Sequence, residues 1–392
     1  MRRIRHPLTV SLHLPAPGAV SAALLVSALA CWLAIGGGQA SAAQVGCGDT
    51  ITTDTKLDSS LTNCPNNGIV IGANGVTLNL NGHRIDGDGT PAVGCDPDTE
   101  FCDVGVVNDG HDGVTVKHGS VREFLYGVFV GRARHNRVLG ISSSKNFFFG
   151  FYVAGSARSL VRNSSGSRNP APEGDGLGLF GSHRVRIVHS SFRRNAIGIH
   201  ISDSPHNVIK KNRLSRNSDF AILVEADRNR IRRNRCVRNS ACVLVAHGNA
   251  NVIARNRVLR GESGLAIERG RANVIARNVI RRARRAGIYL GLNDPPLGGS
   301  HNIVRRNRIG RSAGDAFVVR EEDNHSRLWR NVATRSGDDG FDIASRSAKL
   351  TRNRAWRNGD LGIEAVRGVI DGGGNIAGHN GDPRQCKNIA CN

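Results

Sequence analysis

The stretch HNVIKKNRLSRN at residues 206–217 decides the fold, because related copies follow it along the chain. These copies are NRIRRNRCVRN (229–239), NVIARNRVLRG (251–261), NVIARNVIRRA (273–283) and NIVRRNRIGRS (302–312). The central asparagine of each copy, and of two later ones, falls at Asn212, Asn234, Asn256, Asn278, Asn307, Asn331 and Asn353. The spacings of 22, 22, 22, 29, 24 and 22 residues indicate a repeat protein with a period of about 22 residues.

A second unit in each repeat is a small residue followed by an apolar–any–apolar alternation. It occurs as Gly127-Val128-Phe129-Val130, Gly150-Phe151-Tyr152-Val153, Gly176-Leu177-Gly178-Leu179 and Gly198-Ile199-His200-Ile201, with further copies starting at Ala221, Cys242, Gly264, Gly287, Ala316, Gly340 and Gly362. Alternation with period 2 is typical of a strand whose apolar residues point inward. The period is close to one coil of a parallel β-helix. It also lies within the range of leucine-rich repeats, but the L-x-x-L-x-L-x-x-N pattern is missing.

The repeated asparagine has a structural interpretation in such a solenoid. Parallel stacking places equivalent residues about 4.8 Å apart. A buried asparagine at the same turn of every coil can therefore pass side-chain amide hydrogen bonds along the stack. The alternative is a loop asparagine selected for left-handed backbone geometry. Recurrence over seven coils favours the buried ladder.

The chain divides into a leader, a long array of coils and two ends. Residues 1–42 read as a signal peptide: Arg2, Arg3 and Arg5 precede an apolar run over residues 19–35 and the small residues Ala40-Ser41-Ala42. An uncleaved membrane anchor and lipoprotein processing at Cys31 are the alternatives. No later segment is apolar enough to span a membrane, so we expect a secreted or extracytoplasmic protein, at the cell surface or in the periplasm.

We predict one all-β domain of about 12 coils over residues 69–370, with an N-terminal cap at 43–68 and a C-terminal cap at 371–392. Caps are needed because an open terminal coil exposes a sheet edge. Insertions in the coils fall at 87–104, 166–175 and 291–300.

Eight cysteines remain after Cys31 is set aside, and they fall into four local pairs. The simplest pairing joins neighbours as Cys47–Cys64, Cys95–Cys102, Cys236–Cys242 and Cys386–Cys391. An even set of cysteines fits export. Zinc is the alternative, but no C-x-x-C pair occurs, so no metal site is predicted from the cysteines. Cys236 and Cys242 could instead be small core residues of adjacent strands.

The coil pattern N-x-I-x-x-N-x-Ile/Val followed by G-I-x-L resembles the repeats of the pectin-lyase-like superfamily. Within it, the chain is most similar to the NosD-like, right-handed β-helix region group of exported bacterial proteins, over about residues 65–370. The resemblance implies a single-stranded right-handed parallel β-helix. The superfamily includes pectate lyases, polygalacturonases, alginate epimerases and phage tailspikes, which implies contact with polysaccharides. NosD itself is tied to copper handling, whereas this chain has Met1 as its only methionine and no histidine cluster.

Basic residues recur at two fixed positions of the repeat. The residue before each central asparagine is Lys211, Arg233, Arg255, Arg277, Arg306, Arg330 or Arg352, and the residue four places after it is Arg216, Arg238, Arg260, Arg282, Arg311, Arg335 or Arg357. A partial third column follows the asparagine at Arg213, Arg235, Arg257, Arg308 and Arg354. The formal net charge is +22. Stacked columns of one sign predict a polyanionic partner.

The alternative is that arginine is a good exposed turn residue copied by repeat duplication. Nucleic acid is not expected as a physiological partner, because the protein is predicted to be exported and lacks aromatic residues interleaved with the basic ones.

Carboxylates gather in the C-terminal coils. The segment Asp339-Gly340-Phe341-Asp342-Ile343 resembles the first catalytic motif of polygalacturonases, N-T-D-G-F-D-I. In a hydrolase Asp339, Asp342 and Asp360 would be the catalytic residues. A Ca²⁺ site is a second interpretation. Local charge balance against Arg320, Arg335, Arg346 and Arg357 is a third.

The sequence therefore predicts an exported β-helix protein that binds or processes an acidic polysaccharide or another polyanion. A non-catalytic adhesion module and a uronate lyase, epimerase or hydrolase are both compatible with it, so enzyme activity is left open. Outward aromatic residues at Phe129 and Tyr152 could stack on a sugar ring or on each other.

Overall fold

A computed structural model describes residues 44–91, 102–169, 174–291 and 298–392. Within these ranges the chain folds as strands, turns and bends, without a helix. No helix there is long and apolar enough to cross a membrane. The predicted signal peptide at residues 1–42 and Cys95 lie outside the described residues.

Strands on three faces build a right-handed parallel β-helix, in agreement with the sequence prediction. The strands of the first face are three to seven residues long, except for two-residue Cys386–Lys387, and pair in parallel from one coil to the next. Its strands are Asp49–Ile51, Ile69–Ile71, Val104–Asp109, Tyr126–Gly131, Phe149–Ala154, Asp175–Phe180, Ile199–Ser202, Phe220–Glu225, Ala241–His247, Leu265–Arg269, Ile288–Leu290, Phe317–Val319, Phe341–Ile343, Ile363–Ala365 and Cys386–Lys387.

The second and third faces carry short strands separated by one turn. Thr115–Arg122 and Arg137–Ser144 run through both faces. The other strands of the second face are Thr55–Lys56, Thr77–Asn79, Leu160–Arg162, Arg186–Val188, Val208–Lys210, Arg230–Arg232, Val252–Ala254, Val274–Ala276, Ile303–Arg305, Arg327–Trp329, Lys349–Thr351 and Ile370–Asp371. Those of the third face are Leu61–Cys64, Arg84–Gly87, Ser165–Ser167, Ser191–Arg193, Arg213–Ser215, Arg235–Val237, Arg257–Leu259, Val279–Arg281, Arg308–Gly310, Val332–Thr334, Arg354–Trp356 and Ile376–Gly378.

The solenoid has about 14 turns, so the predicted number of about 12 is too low. Both segments predicted as caps add strands to the stack: residues 49–51 pair with 69–71, and residues 386–387 pair with 363–364. At the C-terminal end the asparagine ladders also continue, through Asn375 and Asn380.

Period-2 alternation builds the apolar interior. On the short strands the middle residue points inward, as for Ile231 and Cys236, which are 0% and 1% exposed. First-face strands contribute two inward residues, such as Ile199 and Ile201. Each inward residue stacks on its equivalent in the neighbouring coil, so a narrow core of Ile, Val, Leu and a few Phe continues along the axis.

The predicted asparagine ladder is confirmed. The backbone N–H of Asn212 donates to Oδ1 of Asn234 at 2.9 Å, and the same bond links every successive pair through Asn353 at 2.8–3.0 Å. The side-chain amide of Asn234 in turn donates to the carbonyl of Ile209 at 3.0 Å. All of these asparagines are buried. Two parallel ladders run at the other turns, for example from Asn207 to Asn229 and from Asn217 to Asn239.

The left-handed backbone conformation belongs to the residue before each ladder asparagine. All fourteen residues of the two predicted basic columns have positive φ, between 51° and 60°. Glycine and asparagine adopt this conformation more readily than a long side chain does. The structure thus separates two roles: the asparagine holds the turn from inside, and the arginine occupies the strained position outside.

The three predicted disulfides that lie wholly within the described residues are present, Cys47–Cys64, Cys236–Cys242 and Cys386–Cys391. The first and last lie in the terminal segments of the solenoid. Cys236 and Cys242 form a disulfide and are also buried core residues. Both interpretations of this pair, a disulfide and small core residues, are therefore correct.

Replacement of one ladder residue tests how much the ladder stabilises the fold. Asn256→Ala leaves the buried N–H of Asn234 and the carbonyl of Ile231 without their partners. We expect a loss of about 2–4 kcal/mol in the free energy of unfolding, measured from urea denaturation, and faster hydrogen exchange at the Asn234 amide. The adjacent Arg255→Asn is the control and should be neutral or slightly stabilising, because asparagine tolerates a φ of 57°. Equal behaviour of the two variants would contradict this role.

Candidate functional site

Charge is segregated between the faces of the helix. In nine successive coils the second and third faces, with the turns around them, contain no Asp or Glu, and each of these segments holds three to six Arg or Lys residues. The segments are 158–169, 184–195, 206–217, 228–239, 250–261, 272–283, 301–312, 325–336 and 347–358. We call the outward side of these segments the basic surface.

Stacking in register aligns the basic columns along the axis. Arg213, Arg235 and Arg257 are directly paired on adjacent strands, as the partial third column predicted. All fourteen residues of the two main columns are exposed. Among the described residues, none of these fourteen takes part in a salt bridge, whereas first-face cations such as Arg320 and Lys387 do.

A groove of about 570 Å³ crosses three coils of the third face. Six arginines line it together with Leu214, Ser215 and Val237: Arg193, Arg194, Arg213, Arg216, Arg235 and Arg238. No carboxylate lies in its wall. On the neighbouring second face, burial lowers the pKa of Lys210, and the cations Arg232, Lys211, Arg233 and Arg186 lower it further. Both features describe a surface whose positive charge is not neutralised within the chain.

The first face carries the carboxylates instead. Asp315 and Asp339 share a column: the N–H of Asp339 donates to Oδ1 of Asp315 at 2.9 Å, and the N–H of Leu361 donates to Oδ1 of Asp339 at 2.7 Å. Asp342 pairs in register with Glu364. The C-terminal acidic residues therefore form adjacent columns.

Burial changes the protonation of these carboxylates. Burial, together with the nearby carboxylates of Asp315 and Asp338, raises the pKa of Asp339 to about 8. Burial likewise raises the pKa of Asp315 to about 6. Burial also raises the pKa of Asp342, against the opposing effect of Arg320. A protonated Asp339 beside an ionised neighbour is an arrangement suited to general acid catalysis.

The proposed trio of Asp339, Asp342 and Asp360 is only partly brought together. Asp339 is buried and Asp342 is half-buried on the first face, whereas Asp360 lies exposed in the turn before strand Ile363–Ala365. Asp315 and Asp338, not Asp360, lie beside Asp339: one oxygen of each of the three lies within 4.8 Å of the others.

This group is the one set of three or more His, Cys, Asp or Glu residues in the described ranges that is placed to hold an ion. It consists only of carboxylates. Hard oxygen ligands suit Ca²⁺, whereas copper prefers imidazole and sulfur. The described residues therefore do not fit a copper centre, and Ca²⁺ at this position remains a prediction.

A mostly buried histidine on the first face went unnoticed in the sequence. His200 Nδ1 lies 3.3 Å from Asp175 of the preceding coil, and its Nε2 lies 3.2 Å from Glu225 of the following coil. Burial alone would lower the pKa of His200, but hydrogen bonds to the two carboxylates outweigh it and raise the pKa to about 9. The available signal was a histidine in the outward position of a strand, with acids at the ends of both neighbouring strands.

The aromatic residues of this face pack on each other rather than forming an open platform. Phe149 and Tyr152 stack with ring centroids 5.0 Å apart and planes 12° apart. Phe129 and Tyr152 are tilted by 50°, and Phe129 is only 3% exposed. The suggestion that Phe129 and Tyr152 stack on a sugar ring is therefore wrong for Phe129.

The comparisons with known proteins agree with this fold. Residues 172–294 match the family model described as periplasmic copper-binding protein (NosD). The chain is a right-handed β-helix protein, and the match covers less than a third of it. The matched segment contains the groove, His200 and the first four rungs of the basic columns. The sequence matches no curated protein sequence.

Solved β-helix structures are similar at low identity. The A-module of the Azotobacter vinelandii mannuronan C-5 epimerase AlgE6 is 12% identical, with 84% of this chain and 90% of that chain covered and a TM-score of 0.46. The periplasmic alginate epimerase AlgG is 12% identical over 84% and 77%, with a TM-score of 0.48. The Streptococcus pneumoniae surface adhesin PfbA is 11% identical over 81% and 84%, with a TM-score of 0.40.

Titration of His200 tests the buried ion pair. We expect its ring resonances in an NMR titration to shift near pH 9, and Glu225→Gln to lower that pKa because one carboxylate charge is lost. His200→Gln assigns the signal. Since the folded pKa lies above the unfolded value of about 6.5, the stabilisation by His200 is complete below that pH and is lost as the pH rises through about 9.

His189 is the internal control for this titration. Burial and the cations Lys211, Arg162 and Lys210 lower its pKa, so its resonances should shift at a lower pH than that of an ordinary histidine, well below the pH at which His200 titrates. A His200 signal that titrates together with the exposed histidines would refute the ion pair.

Proposed function

We propose that this chain is an exported β-helix protein whose basic surface binds an acidic polysaccharide or a related polyanion along the solenoid axis. The observation that carries the proposal is the absence of Asp and Glu from the second and third faces of nine coils that are rich in arginine. Like charges on neighbouring strands destabilise a sheet. A bound polyanion would remove this cost.

The backbone geometry supports a role for the charge itself. The fourteen column residues occupy left-handed positions, where a repeat selected only for folding would favour glycine or asparagine. The presence of arginine or lysine at every such position therefore argues against the alternative that these residues were retained for their turn preference. Their side chains are exposed and unpaired by acids, so the guanidinium groups are available to carboxylates or sulfates.

The spacing of the columns favours a long, linear ligand. Seven rungs at strand spacing span about 29 Å. One column runs along each edge of the third face. A compact anion would use only one or two rungs. An extended polymer that lies parallel to the axis would contact many arginines at once and gain from their number. Residues 1–42 and the disulfides support a location outside the cytoplasm.

Salt dependence tests the electrostatic origin of binding. We expect the affinity for polygalacturonate to fall steeply as NaCl is raised from about 50 to about 300 mM. The slope of log K against log salt should correspond to the release of several counterions. Arg235→Gln/Arg238→Gln, in the groove, should lower the slope of log K against log salt by about 2. Isothermal titration calorimetry at four salt concentrations measures both quantities.

The matched control is Arg269→Gln/Arg320→Gln, which removes the same charge from the first face. Its salt slope should stay at the wild-type value. If both double variants lose affinity equally, net charge rather than the basic surface governs binding. An affinity that does not change with salt would overturn the proposal.

A second candidate function is hydrolysis of the polymer at the first face. The specific observation in its favour is the raised pKa of Asp339, about 8, in a group of carboxylates whose members Asp338 and Glu364 also act on Asp342. Asp339 would donate a proton to the leaving oxygen, and Asp342 would act as the base. Activity would then fall as the pH rises through about 8, because Asp339 loses its proton.

Product analysis decides between binding and turnover. Polygalacturonate, alginate, hyaluronan and heparin are incubated with the protein, with and without Ca²⁺, and both reducing ends and unsaturated uronate are measured. Hydrolysis predicts new reducing ends alone, abolished in Asp339→Asn and Asp342→Asn, with Asp360→Asn as the control. Unsaturated product would indicate a lyase instead. The absence of both products would favour a binding module, with epimerisation as the remaining enzymatic alternative.

A further inference from the structure

An exposed tryptophan stands within the C-terminal part of the basic surface. Trp356 ends the third-face strand Arg354–Trp356, whose burial alternates exposed, buried, exposed. Trp356 and Arg354 therefore point outward together. Trp356 is 39% exposed, although its ring is among the largest apolar groups of the chain. The ring therefore offers a flat apolar surface on which a ligand could pack.

The ring of Trp356 is supported from one side by the next coil. Trp356 pairs in register with Gly378, and a Cβ atom added to Gly378 would lie 2.5 Å from a ring carbon. The glycine thus leaves room for the ring to lie against bare backbone. The His379 ring lies 4.7 Å from the Trp356 ring, tilted by 60°. On the preceding rung stands Thr334, a small residue. The indole is thereby held in one orientation rather than free to rotate.

The other tryptophan of this region is arranged differently. Trp329 on the second face is half-buried, and its ring carries the guanidinium groups of Arg306 at 5.2 Å and Arg330 at 4.8 Å. These cations use the ring faces of Trp329 within the chain. Trp356 is held by a glycine and a histidine. The two tryptophans therefore form a matched pair for substitution. They lie one coil apart; the Trp329 ring contacts arginines of the chain, whereas the Trp356 ring is exposed.

Cations flank Trp356 on its own strand and beyond. Arg357 follows it and belongs to the second basic column, and the backbone N–H of Arg335 in that column donates to the carbonyl of Trp356 at 3.1 Å. Arg354 lies two residues away on the same side of the strand, about 7 Å along it. A flat apolar ring flanked by three exposed arginines matches a ligand that joins an apolar ring face to an anionic group.

We propose that Trp356 is a stacking subsite for a pyranose ring of an acidic polysaccharide, with Arg335, Arg354 and Arg357 pairing with its carboxylate or sulfate groups. This inference rests on the proposed function of the basic surface. It narrows the ligand from any polyanion to one built of sugar rings. A ring-free polymer such as polyphosphate would bind the arginines but gain nothing from the indole.

The test compares two polyanions on three forms of the full chain. Wild type, Trp356→Ala and Trp329→Ala are titrated with polygalacturonate and with inorganic polyphosphate at constant salt. We expect Trp356→Ala to weaken polygalacturonate binding about tenfold and to change polyphosphate binding by less than twofold. Trp329→Ala should affect both ligands alike. Circular dichroism melting checks that each variant is folded.

Fluorescence gives an independent readout that needs no alanine variant. The chain has three tryptophans, so Trp32→Phe/Trp329→Phe leaves Trp356 as the only one. Polygalacturonate should shift its emission to the blue and protect it from acrylamide quenching, whereas polyphosphate should do neither. This measurement keeps the subsite testable if Trp356→Ala fails to fold.

The outcomes separate the two proposals. Failure of wild type to bind either polymer would overturn the proposed function. If Trp356→Ala binds both polymers with the same affinity as wild type, the subsite alone is overturned. The same holds if polygalacturonate does not change the fluorescence of Trp356 in Trp32→Phe/Trp329→Phe. A response of Trp356 to oligo(dT) but not to polygalacturonate would also overturn it, since it would identify the ring as a nucleobase platform.

Discussion

Stacked asparagines fix the register on which every other feature of this molecule depends. Each ladder asparagine accepts a hydrogen bond from the backbone of one neighbouring coil and donates its amide to a carbonyl of that coil, as Asn234 does with Asn212 and Ile209. The turn of each coil is thereby held directly above the next. A shift by one residue would leave buried amides without partners along the whole stack, which is far costlier than the loss of one contact.

Because the register is fixed, the position before each asparagine repeats in space as it does in sequence. The basic columns follow from this: their residues share a left-handed φ, an exposed side chain and a spacing set by the strands. A charge placed once in the repeat becomes a line of charge on the protein. In nine coils the chain carries that repulsion without acids on the same faces, which is the physical basis for inferring an external anion.

The first face has a different chemistry, and the apolar core separates it from the basic surface. Its longer strands carry carboxylates, stacked aromatic rings and His200 between Asp175 and Glu225. Burial here favours protonated acids, whereas the paired carboxylates of Asp175 and Glu225 favour a protonated His200. The proposed binding surface and the candidate acid–base residues can therefore be altered independently by substitution.

The sequence by itself determined the coil length, the inward apolar residues, the asparagine ladder and the local disulfides, because these repeat with a period that can be read directly and involve neighbours in the chain. It also placed the arginines in columns, since a fixed period implies alignment. Only the tertiary structure decided which residues have positive φ, that Asp360 lies apart from Asp339 while Asp315 and Asp338 lie beside it, and that Asp175, His200 and Glu225 meet. The reason is physical: those arrangements depend on the path of the turns and on burial across three coils, which residue spacing does not specify.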